Sequence, residues 1–122
     1  MAHLVQRFEA AVHALIGDGP VKQRLVQAYS GHLEDLRGLE LPVNANGAFA
    51  ELHAALHRVA PVGKETPVKA SVQKMSASEA VWHAETIVRL YAELLSQARR
   101  PEPLKVVEAL ERTPPRFLVR KG

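Results

Sequence analysis

Apolar residues recur along this chain at spacings of three and four, the period that gives a helix one buried stripe. Leu4, Phe8, Val12 and Leu15 form the first stripe and predict a helix over residues 3–16, stopped by Gly17, a residue free to adopt positive φ. A second helix starts at Pro20, whose fixed φ suits the first helical position, and presents Val21, Leu25, Tyr29, His32 and Leu36 before Gly38. A third, over residues 45–59, follows Asn44 as its expected cap and aligns Phe49, Leu52, Leu56 and Val59.

The period then fails. Residues 61–75 hold Gly63, Pro67 and three lysines, Lys64, Lys69 and Lys74, and predict a long loop with one short helical turn near residues 68–74. Ser76 and Glu79 stand in the S-x-x-E relation, in which each side chain can bond the other's backbone N–H, and mark the next helix start. That fourth main helix carries Ala80, Ala84, Ile87, Val88, Tyr91 and Leu95 on one face and ends where Arg99 and Arg100 meet its negative pole, ahead of Pro101. About 24 residues make it roughly 36 Å long, the spine of the fold. Leu104, Val107 and Leu110 predict a short fifth helix over residues 103–112, after which Thr113, Pro114 and Pro115 end regular structure.

The expected fold is therefore all-α: an up-down bundle of about four main helices plus a short C-terminal helix and tail. Residues 1–112 form the single bundle domain and residues 113–122 the basic tail. Val26, Leu33, Leu90 and Leu94 lie beside the main stripes, so the apolar faces are wide enough to meet two neighbours in one chain or a second subunit.

Composition sharpens this picture at few points. The 122 residues include 47% hydrophobic and 24% charged side chains but only 5% aromatic ones, a bias that favours helices over sheets. The absence of cysteine removes disulfides, thiolate nucleophiles and every cysteine-containing metal site, and fits a cytoplasmic location. No signal peptide and no membrane-spanning run is expected, since polar residues interrupt residues 1–16 and no stretch of about 18 apolar residues occurs. The net charge of +3 is uneven: residues 1–98 hold nine Lys/Arg against ten Asp/Glu, or −1, and residues 99–122 hold seven against three, or +4.

Four features carry candidate chemistry. His53 and His57 have the i, i+4 spacing at which two imidazoles can share one metal ion, though Ala54, Ala55 and Leu56 between them exclude the H-E-x-x-H signature. His32 falls within the second stripe and is expected as a core histidine needing a hydrogen-bond partner. Trp82, the one tryptophan, lies nearly opposite Ala84, Ile87 and Tyr91 on a face shared with Thr86, Arg89 and Glu93, where the C-terminal segment, a second subunit or a partner would cover it. The tail interleaves Arg116, Arg120 and Lys121 with Phe117, Leu118 and Val119.

Sharper motifs fail. Gly63-Lys64 is no phosphate loop, because Arg58 stands where the first glycine belongs and Glu65 replaces the metal-binding hydroxyl. Ser30 lacks the flanking glycines of a nucleophile elbow, and no Glu-x-x-His pair supports a di-iron bundle. A helix-turn-helix fits poorly, since the connection from Gly38 to Asn44 is long and the third helix carries one cation, Arg58. No cofactor and no catalytic set is expected.

The leading expectation is a protein-interaction module, forming a homodimer, that binds a protein partner through the outer face of the fourth main helix and the C-terminal segment, with Trp82, Arg89, Phe117 and Arg120 as contact residues. One alternative is a nucleic-acid accessory protein using Lys64, Lys69, Lys74, Arg116, Arg120 and Lys121. Another is a metal- or small-ligand-binding bundle built on His53 and His57.

Overall fold

The computed structural model describes residues 2–36 and 41–99, and these form an all-α bundle of five helices. They are α1 (Ala2–Leu15), α2 (Val21–His32), α3 (Val43–Leu56), α4 (Pro67–Lys74) and α5 (Ala77–Arg99). The expected helix over residues 103–112 and the tail over 113–122 lie outside the described residues. Among the described residues, no helix is long and apolar enough to cross a membrane.

The four main helices fall where the period predicts them, with shifts at the ends that have local causes. Pro20 and Pro42 both stand just before their helices with extended ψ, 152° and 154°, so each contributes a carbonyl to the first turn rather than sitting inside it. Asn44, expected as a cap, is consequently inside the first turn of α3. Gly19 rather than Gly17 takes the left-handed conformation, at φ 101°, and makes the sharp reversal from α1 into α2.

The expected loop over residues 61–75 contains a full eight-residue helix. Thr66 caps it by accepting a 3.1 Å hydrogen bond from the Lys69 N–H, and Pro67 occupies the first position, so both ends of the usual start signal are present. Its period was hidden by shortness: Val68 and Val72 supply only one turn of stripe, yet both are buried, as are Ala70 and Ser71. The Ser71 hydroxyl accepts from the Val59 N–H at 2.9 Å and so ties the chain leaving α3 to α4.

α5 is the spine, packed on α1, α2 and α3, while α4 bridges α2 and α3. Its buried stripe is Ala80, His83, Ile87, Leu90 and Leu94, which alternates spacings of three and four without a break. The expected stripe through Ala84, Val88 and Leu95 is rotated from this one, and Val88 is 44% exposed. The core gathers Phe8, Leu25, Tyr29, Leu33, Leu52, Leu56, Ile87 and Leu94, all almost fully shielded from water. Phe8 and Phe49 meet edge to face there, with ring centres 6.1 Å apart, the arrangement that sets a positive ring edge on a negative face. His32 is not in this core: it is half-buried at the end of α2, and Leu33 takes the interior position.

Candidate functional site

An open cleft of about 370 Å³ lies between α3 and α5. Asn44, Ala48, Glu51 and Leu52 line it from α3, and Trp82, His83, Thr86, Arg89, Leu90 and Glu93 from α5. One end is closed by a polar clasp across the two helices. Asn44 donates to the Glu93 carboxylate, and the Gln97 amide donates both to Glu93 at 3.2 Å and to the Asn44 side-chain oxygen at 2.9 Å.

Trp82 is 59% exposed, a large apolar area to leave in water. The ring is nonetheless held. The Arg89 guanidinium lies 5.2 Å from its centre, over the ring face, and donates at 3.1 Å to the Thr86 hydroxyl, which itself donates at 3.0 Å to the Trp82 carbonyl. Stacking of a cation on the electron-rich face stabilises an exposed pair by about 0.5–1 kcal/mol. Val81 and Val88, 42% and 44% exposed, lie on the same helix but roughly 100–120° around it from Trp82, outside the cleft.

Next to the tryptophan on α5, and lining the same cleft, is His83, which the sequence offers as an i, i+4 partner of the capping residue Glu79. His83 is only 9% exposed, and its Nε2 is buried without a hydrogen-bond partner among the described residues. Loss of hydration pushes its protonation below the ordinary histidine range, aided by Arg58 and opposed by Glu79. The signal was present in the chain, since His83 occupies the stripe position between Ala80 and Ile87. His32, placed in the core by its spacing from Tyr29, instead has its carbonyl engaged by the Arg7 guanidinium at 2.7 Å.

The two histidines singled out as a metal pair belong to a second polar cluster, between α2 and α3. The Tyr29 hydroxyl is 2.8 Å from His53 Nδ1. Burial first, and then the negative charge of Glu34, raises the Tyr29 phenol above its ordinary range, so it keeps its proton and donates. Burial and the neighbouring His57 lower His53, which is the neutral acceptor that this bond requires. His57 donates from Nδ1 to the His53 carbonyl at 2.8 Å, stacks on the His53 ring with centres 4.1 Å apart, and turns Nε2 towards Glu34 at 3.4 Å. Each Nδ1 is thus already engaged. Among the described residues no set of three or more His, Asp or Glu side chains is arranged to hold a metal ion. A buried phenol held in its protonated form orders the α2–α3 contact; it is not an activated nucleophile.

The lysines do not share one place. Lys64 is exposed in the loop before α4, Lys69 borders a shallow apolar groove between α2 and α4, and Lys74 borders a recess with Arg58 and Glu79. Phe117, Arg116, Arg120 and Lys121 lie outside the described residues. The structure therefore brings Trp82 and Arg89 together and leaves their expected tail partners undescribed.

No known family model, curated protein or solved structure matches the chain.

Proposed function

We propose that this chain is a cytoplasmic protein-interaction module whose docking surface is the outer face of α5 together with the cleft against α3. Trp82 and Arg89 are its principal contact residues, extended by Phe117 and Arg120. The observation that carries the reading is the exposure of Trp82 while its ring is held in place by Arg89. An aromatic ring already ordered before binding loses little conformational freedom on association, and its buried area then contributes nearly in full. Tryptophan and arginine are also the residue types that most often dominate binding energy at interfaces.

Trp82 fluorescence and partner capture together test this. The isolated chain should emit as a water-exposed indole, with a blue shift when its partner is added, and Trp82→Ala and Arg89→Ala should each abolish capture while leaving the helical content unchanged. A partner retained equally by wild type and both variants would defeat the proposal.

A further inference from the structure

We infer that the occupant of the outer face of α5 is a second copy of the chain, paired antiparallel through α5 about a two-fold axis level with Ile87. The inference rests on the docking surface proposed above and names its partner.

The argument starts from angular positions on the helix. Successive residues turn 100°, and the buried stripe through His83, Ile87, Leu90 and Leu94 fixes which way is inward. The middle of the opposite face then falls between Ala92 and Glu85, with Ser78 and Ser96 about 30° and Arg89 about 50° around on the Glu85 side. Ser78, Glu85, Arg89, Ala92 and Ser96 are all exposed. A two-fold axis through this face at the level of Ile87 exchanges positions at equal distances before and after that residue. It sets Glu85 of one copy opposite Arg89 of the other, and the reverse, giving two equivalent ion pairs. The same operation sets Ser78 opposite Ser96 at the ends and leaves Trp82 at the rim of the paired faces.

Charge selects this register over its neighbours. Sliding the axis by half a turn, to the level of Glu85, brings the two Glu85 carboxylates face to face, and moving it to Arg89 brings the two guanidinium groups together. Within one copy the groups are prepared for the pairing. No salt bridge among the described residues engages Glu85, and Arg89 uses one donor on Thr86 while stacked on Trp82, leaving others of its five N–H groups for a carboxylate. A single helix face about 34 Å long is smaller than a standard interface of about 800 Å² per partner. Reversible association in the micromolar range is therefore expected.

Sedimentation velocity of the full chain over about 1–200 µM reads the association, and cysteine pairing reads its geometry. Arg89→Glu and Glu85→Arg should each weaken self-association by at least about tenfold, because each substitution sets like charges together twice, and the combined exchange should restore it to within a few-fold. The chain contains no cysteine, so introduced thiols report without background. Ser78→Cys and Ser96→Cys should each stay uncrosslinked alone, since two copies of either site lie roughly 27 Å apart in this arrangement, and should form a disulfide-linked dimer when mixed. A chain that stays monomeric throughout this range, a dimer indifferent to both charge reversals, or efficient crosslinking of Ser78→Cys with itself would overturn the pairing. If the chain is monomeric and Trp82→Ala still abolishes capture of a different protein, the second-copy assignment falls while the docking surface stands. If capture is also unaffected, both fall.

Discussion

Arg7 and Arg24 each close the C-terminal end of the other's helix. From α1, Arg7 donates through Nε to the His32 carbonyl at the end of α2, 2.7 Å away, and its guanidinium also pairs with Asp35. From α2, Arg24 donates to the Leu15 carbonyl at the end of α1 and at 2.8 Å to the Gly19 carbonyl in the reversal that follows. The last carbonyls of a helix have no partner within it and carry its partial negative charge, so a cation there is favoured twice. The pair locks the α1–α2 hairpin at both ends.

Replacing either arginine with methionine, which keeps most of the aliphatic stem, should cost about 1–2 kcal/mol in urea unfolding. The Asp35 carboxyl supplies a local readout for the first variant. The Arg7 hydrogen bond is the main reason that carboxyl titrates below its ordinary range, so Arg7→Met should move its titration upward in carbon-detected NMR. An unchanged midpoint in urea for both variants would show that water serves these carbonyls equally well.

The Tyr29–His53 bond makes an asymmetric prediction. Tyr29 is fully buried, whereas His53 reaches solvent. Tyr29→Phe leaves behind an imidazole nitrogen that water can satisfy and should cost about 0.5–1 kcal/mol. His53→Ala strands the buried hydroxyl and should cost more, about 1–3 kcal/mol. The double variant, with neither group, should be more stable than His53→Ala alone. Denaturant midpoints of the three proteins decide it, and the ordering fails if Tyr29→Phe is the most damaging.

These cases also show what the sequence can and cannot display. The main helices were legible because Phe8, Leu25, Leu52 and Ile87 recur with the helical period, and burial follows period. The face of α5 was read a fraction of a turn off, because Ala84, Val88 and Tyr91 look apolar while His83 looks polar, and hydropathy cannot see that a histidine is sealed in by α3. The α4 helix was under-read for want of length. Trp82 and Arg89 were legible as a pair from their angular position alone. The Tyr29–His53–His57–Glu34 cluster was half-legible: the i, i+4 histidines stand out, but Tyr29 comes from α2 and Glu34 from the turn after it, and only packing brings them near.

The short helix α4 should depend on its cap more than a long helix would. With eight residues it has few internal hydrogen bonds to offset the cost of nucleation, and Thr66 satisfies one of its first N–H groups. Thr66→Ala should cost about 1 kcal/mol and should raise amide exchange within residues 67–74 well before it lowers the global stability. Thr66→Asn, which restores a cap, should recover most of the loss. Uniform exchange along α4 in wild type and Thr66→Ala would show that burial of Val68 and Val72 alone holds the helix.

His83 makes the stability depend on pH, with a defined sign. Its folded-state protonation lies below the ordinary histidine range because burial disfavours the cation. As pH falls through about 6.5 the unfolded chain takes up a proton that the folded chain refuses, so stability present at neutral pH declines on acidification until the folded His83 itself titrates. His53 is lowered as well and contributes with the same sign. Each such proton adds at most about 1.4 kcal/mol per pH unit to the slope. His83→Leu removes one of them and also replaces a buried nitrogen that has no partner among the described residues with an apolar group of similar volume. The variant should equal or exceed wild type in stability at pH 7.5, and its loss between pH 7 and 5 should be shallower. Thermal unfolding of both proteins across that interval measures the difference, and parallel curves would mean that the His83 ring gains access to water or a partner when it is protonated.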